Sequence, residues 1–254
     1  MKRVYEIAVL SKGSFARTVR IYAPKKADRA IIMHDGQNVF DDKDAAFNKS
    51  WRAAEILRSS DIKNTAIVGI DCTAMREYDY LPFPTELDKY GYPTRGGGAS
   101  IYSDYIEQIV IPYLDKRFGF SFYGVLGSSA GALATIDIAA RKNPRIKAYG
   151  MFSTPLYVSP EAFEKLFESA PFDKNAYYLV YTGGNERIDE IPDPDITEMT
   201  PQLFVDDAFK TVNGLRKSGV TDLELLMKNT AVHDEISWRL PEKLFFEKVS
   251  KLNK

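Results

Sequence analysis

The chain has 254 residues, 44% hydrophobic and 27% charged, with 34 basic and 35 acidic side chains and a net charge of −1. This composition is that of a soluble globular protein with ample core, and it offers no electrostatic case for nucleic acid or an anionic membrane. The single cysteine, Cys72, excludes an internal disulfide and fits a reducing, cytoplasmic setting, while no run approaches membrane-spanning length and the first residues lack an apolar signal core.

In chain order, Val4–Leu10 and Ala16–Tyr22 carry β-branched and aromatic residues around a glycine turn, which predicts an antiparallel hairpin at a sheet edge. Ala30–Met33 is a short apolar strand that ends in His34-Asp35-Gly36-Gln37-Asn38. Trp51–Leu57 has a helical pattern, and Thr65–Ile70 is a second buried strand ending at Asp71-Cys72. Cys72 reads as a small buried hydrophobe rather than a catalytic thiol. The stretch from Thr73 to Ser100 shows no clear element but holds Tyr78, Tyr80, Phe83, Tyr90 and Tyr92. A loop of that length in a compact domain is functional or disordered, and its aromatic content argues against disorder.

Tyr102–Phe118 is strongly periodic and predicts a helix. Phe122–Leu126 is a strand, and Ala130–Ala140 a helix of small residues. Ala148–Phe152, Tyr177–Tyr181 and Leu223–Met227 are further strands. Helices are expected at Pro160–Ser169, Pro201–Ser218 and Ile236–Leu252, with a polar, proline-rich loop from Asp189 to Thr200. Apolar strands alternating with helices imply one α/β domain over residues 1–254, a mostly parallel central sheet with helices on both faces. Sites in such sheets lie at the carboxyl ends of the strands. His34–Asn38, Asp71–Cys72, Ser129, Glu186 and His233 should therefore share one edge.

Gly127, Ser129 and Gly131 form Gly-x-Ser-x-Gly between a strand and a helix, the context of a nucleophile elbow. A serine hydroxyl needs a base in contact to become a nucleophile. Of the two histidines, His233 follows the last strand and can hang over the elbow, whereas His34 reads as a packed support. The base needs an acid to fix its tautomer. Glu186 is the first acid after the second strand beyond the elbow, with Asp189 as the alternative. Oxyanion donors should be the Ala130 amide and an amide from the loop after Ala30–Met33, where Gly36 permits a turn and Gln37 can aim its N–H inward.

His34-Asp35-Gly36-Gln37-Asn38-Val39-Phe40-Asp41, the elbow, Gly183-Gly184-Asn185-Glu186, and His233 with Trp238 resemble the putative-esterase family of α/β-hydrolases. That broad group includes siderophore, feruloyl and acetyl-xylan esterases, S-formylglutathione hydrolases and mycolyltransferases. The resemblance spans about Val19 to Phe246. It implies an α/β-hydrolase fold and a Ser129–His233–acid triad without a lid domain. Arg76-Glu77-Tyr78 is similar to a substrate-loop segment of the family, which marks Arg76 as a substrate-side residue. Tyr78 and Tyr80 are expected to wall the cleft from the same loop. The expected activity is serine carboxylic-ester hydrolysis of short-chain, aromatic-acyl or sugar esters. An acyltransferase and a silent binding protein on the same scaffold stay open. The expected partner is a small-molecule ester, without cofactor, metal, nucleic acid or membrane; a homo-oligomer is left open.

Overall fold

The computed structural model describes residues 4–88, 91, 93–189 and 193–253. Eight strands form one sheet in the order β1-β2-β4-β3-β5-β6-β7-β8. β1 (Glu6–Lys12) and β2 (Phe15–Tyr22) make the antiparallel hairpin, and β2 also runs antiparallel to β4 (Thr65–Ile70). β3 (Arg29–Met33), β5 (Tyr123–Ser128), β6 (Ile146–Phe152), β7 (Tyr177–Gly183) and β8 (Leu223–Lys228) are parallel with β4. Every residue of β3, β4, β5 and β7 is buried, which explains why these strands read as unbroken apolar runs.

The two faces carry separate cores, and alternate strand residues serve each. Ile32, Val68, Val125 and Tyr178 join the core under α5 (Ala130–Ala140), α6 (Pro160–Ser169) and α7 (Pro194–Lys217). Ile31, Ile67, Leu126 and Leu179 join the core under α1 (Ala53–Ser59) and α8 (Glu235–Lys251). The parallel sheet, both helical layers and the hairpin make this an α/β-hydrolase fold.

Three segments depart from the sequence expectations. First, the described residues of 73–100 carry local structure where no clear element is expected. They contain α2 (Arg76–Tyr80), a bridge between Pro84 and Gly96, and amide bonds from Gly97 to Leu81 O (2.9 Å) and Gly98 to Tyr78 O (3.0 Å). A side chain on Gly98 would run into the Tyr78 ring, so that glycine admits the tyrosine. Tyr90 and Tyr92 lie outside the described residues. Second, the helix expected at Tyr102–Phe118 is α3 (Ala99–Tyr105), a π-helical turn (Ile106–Val110) and α4 (Ile111–Phe118). Pro112 lies just past the π turn, where a missing N–H and ring bulk disfavour a plain α turn.

Third, α7 starts seven residues before the expected helix. Asp193 caps it, its Oδ1 accepting from Asp195 N (2.9 Å) and Ile196 N (3.2 Å), and Pro194 fills the first turn. Pro201 lies inside the helix rather than at its start. It cannot donate to the Thr197 carbonyl. The Thr200 hydroxyl donates there instead (2.7 Å) and accepts from Ile188 N (3.1 Å). Pro241 inside α8 is handled alike: the Tyr181 hydroxyl reaches the Ser237 carbonyl (3.4 Å).

His34 closes β3 within the core. Its ring nitrogens meet the Tyr102 hydroxyl (2.9 Å) and Thr135 Oγ1 (3.1 Å), and only 3% of the residue is exposed. Burial lowers its pKa from 6.5 to about 4, with Asp35 opposing and Arg76 reinforcing the shift.

Two predictions follow from this packing. Thr200→Val removes both bonds of a fully buried hydroxyl and should cost about 1–3 kcal/mol in urea unfolding, whereas Thr200→Ser should retain most of the stability. For His34, the unfolded chain takes up a proton near 6.5, while the folded chain resists until about 4. Stability should therefore fall as pH drops through that window, by about 3 kcal/mol in full. His34→Gln should flatten this acid limb; an unchanged limb would assign the acid sensitivity elsewhere.

Candidate active site

The elbow between β5 and α5 holds Ser129 at φ 55°, ψ −130°, a region most side chains avoid. The turn is made possible by what its neighbours lack. A Cβ on Gly127 would strike the Gly131 carbonyl and the His34 ring, and one on Gly131 would come within 3.2 Å of His34 Cβ. His34 thus fills the space under the elbow. Ser129 N donates to Phe152 O (2.9 Å), tying the turn to β6. Ala130 opens α5, whose first amides have no acceptor within the helix and whose dipole favours negative charge there.

His233 follows β8, and its Nδ1 lies 2.8 Å from Glu186 Oε2. Glu186 is fully buried. Its Oε1 accepts from Ser153 Oγ (2.7 Å) and from the Gly183 amide. Ser153 Oγ accepts in turn from Trp238 Nε1 (2.8 Å). The carboxyl is thereby fixed from both sides, and it assigns the imidazole proton to Nδ1. That leaves Nε2 to exchange a proton with an occupant of the cleft. The ring is held between Phe204 (centroids 4.8 Å) and the edge of Trp238 (5.0 Å). Amide bonds from Gly184 to Lys228 O and from Asn185 to Ala231 O, both 3.0 Å, join the two loops. Asp189 is exposed and pairs with Arg187 (2.7 Å) instead.

Across the cleft, the loop after β3 is locked into shape. Asp35 is left-handed (φ 53°), and its amide donates to the Tyr80 hydroxyl (3.0 Å). Arg76 grips its carboxyl through Nε and Nη2, both at 2.8 Å. Burial works against the Asp35 charge, but Arg76 outweighs it and holds the carboxyl below its ordinary range. Gly36 packs directly on Gly69 and Asp71, where no side chain fits. Gln37 turns its amide group to Cys72, donating to Sγ (3.0 Å) and accepting from Cys72 N (3.1 Å). Cys72 is half-buried, packed against the core at the cleft wall, and burial with nearby Asp35 pushes its thiol up to about 12. It stays a protonated thiol.

Ser129, Ala130, Gln37, Arg76 and His233 all line one cleft of about 670 Å³, with Glu186 behind the imidazole. The expected aromatic wall is different. Tyr80 is buried, and Tyr78 packs over Gly98; neither lines the cleft. The aromatic residues Phe47, Trp51, Tyr157 and Phe204 do. Sequence reasoning missed them because they lie in separate loops and helices with no shared period. Among the described residues, no group of three or more His, Cys, Asp or Glu is placed to hold a metal, and no helix is long and apolar enough to cross a membrane.

The family described as "Putative esterase" matches residues 15–211. A comparison with curated proteins found no match. Among solved structures, the chain is similar to an IroE-like serine hydrolase from Shewanella oneidensis, at 20% identity and TM-score 0.75 over 97% of this chain and 80% of that one. It is also similar to the siderophore hydrolase EstA from Aspergillus nidulans, at 18% identity and TM-score 0.73 over 99% and 96%. A ferulic acid esterase aligns at 13% identity and TM-score 0.63 over 97% and 98%. The matched span exceeds half of the chain, so the protein belongs to the putative-esterase family, a group of ester-cleaving α/β-hydrolases.

Proposed function

We propose that this protein is a serine carboxylic-ester hydrolase that works through an acyl-enzyme, with Ser129, His233 and Glu186 as its catalytic triad. The observation that carries this reading is the buried Glu186 carboxyl on His233 Nδ1, in the cleft that also holds the strained Ser129. Ser129 Oγ adds to the ester carbonyl while its proton passes to His233 Nε2. The amides of Gln37 and Ala130 stabilise the tetrahedral oxyanion. The intermediate collapses, the C–O bond breaks, and the departing alcohol takes the proton from His233. Water then adds to the acyl-enzyme by the same route, releasing the carboxylic acid and restoring Ser129.

Arg76 acts mainly through Asp35, fixing the loop that carries Gln37. The cleft is open and lined by Leu81, Leu87, Leu133 and Val158 beside polar groups, which suits short or aromatic acyl groups and acylated sugars. Structural likeness to a ferulic acid esterase supports aromatic-acyl esters as candidates.

Hydrolysis of p-nitrophenyl, acetylated-sugar and hydroxycinnamate esters tests the activity, and product analysis with an added alcohol separates hydrolysis from acyl transfer. Ser129→Ala should lower kcat by about a millionfold, as in the best-studied triad. A fluorophosphonate probe should label Ser129; labelling of Ser128, or activity in the Ala variant, would defeat the assignment. Glu186→Gln should cost roughly ten-thousandfold in kcat. Asp189→Asn removes only an exposed ion pair and should change it by less than about twofold. A larger loss in Asp189→Asn would reverse the two roles.

A further inference from the structure

The segment between the Gln37 loop and α1 holds a conformation that its residues do not favour. Phe47 has φ 58° and ψ 16°, and Asn48 follows at φ 52°. Asparagine enters the left-handed region readily; a phenylalanine there is a genuine outlier. Packing does not compensate. Phe47 is 83% exposed, the most exposed of the large hydrophobic residues among those described. Strained backbone conformations cluster at active sites and ligand clamps. Phe47 also lines the active-site cleft.

The segment is fastened at both ends. Ala46 N donates to Asn38 Oδ1 (2.9 Å), and Asn38 Nδ2 donates to Glu235 Oε1 (2.9 Å). Lys49 Nζ pairs with Asp234 Oδ2 (2.9 Å). Asp234 and Glu235 directly follow His233. The backbone that carries the exposed ring is therefore tied to the loop that carries the imidazole. In ester cleavage the leaving alcohol must lie on the imidazole's side of the nucleophile, because His233 returns the proton to it.

We infer that Phe47 forms a subsite for the alcohol portion of the substrate, and that this subsite selects alcohols with a flat apolar face, such as arylmethyl alcohols. The ring offers a stacking surface that rewards a planar group more than a short alkyl chain. This inference rests on the esterase reading for its kinetic arm. Its binding arm stands alone.

Two ester series separate the alcohol side from the acyl side. Ethyl and benzyl acetate vary the alcohol; methyl acetate and methyl cinnamate vary the acid. Phe47→Ala should lower the benzyl-to-ethyl ratio of kcat/KM roughly tenfold, while the cinnamate-to-acetate ratio stays within about twofold of wild type. Phe47→Gly should share that kinetic defect and raise the thermal midpoint by about 2 °C, because glycine accepts the left-handed backbone. Binding is read in Ser129→Ala protein by quenching of Trp51 and Trp238 fluorescence with 4-nitrobenzyl alcohol. Adding Phe47→Ala should weaken it roughly tenfold. Equal losses in both alcohol esters, a loss confined to the acyl series, or unchanged alcohol binding would overturn the proposal. Absence of all ester hydrolysis in wild type would instead strike the esterase reading, and the binding result would then decide Phe47.

Discussion

A serine at φ 55°, ψ −130° has no local reason to stay there. The surrounding structure holds it, and much of the molecule is arranged to do so. β5 and α5 can meet at so sharp a corner only because Gly127 and Gly131 bring backbone against backbone, with His34 filling the space beneath. His34 is itself held by Tyr102 from α3 and Thr135 from α5. Its neutrality follows from that burial: a charged imidazole has no water there, so the ring serves as packing rather than as a base.

Around this corner, each buried charge is matched to a partner that also fixes a loop. Asp35 would be costly beneath the cleft without Arg76, and the paired fork sets the path of the Gln37 loop. Glu186 accepts from a hydroxyl, a backbone amide and the imidazole, so the loops after β6, β7 and β8 meet at one carboxyl. Gly183 is required at that point, since a Cβ would collide with Glu186 itself. Asn38 and Lys49 extend the same logic to the rim, tying 45–49 to the two acids after His233. The strained Phe47 sits on that tied segment, 83% exposed.

Much of this was determined by local sequence. Strands buried on both faces must be apolar throughout, so β3, β4, β5 and β7 announce a parallel sheet, and the carboxyl-end rule then brings Ser129, His233 and the Gln37 loop to one edge. Gly-x-Ser-x-Gly between strand and helix marks the corner because the steric demand is local. Tertiary structure alone decided the rest. Glu186 and Asp189 lie three residues apart on one loop, and only the fold shows one buried against His233 and the other paired with Arg187 in solvent. Pro201 reads as a helix-initiating proline, yet α7 starts at Pro194. Thr200 repairs the carbonyl that Pro201 orphans, and no pattern predicts that repair. Tyr80 belongs under the Asp35 loop and Phe47 on the cleft wall, because exposure is set by what packs above a residue, and that partner comes from distant sequence.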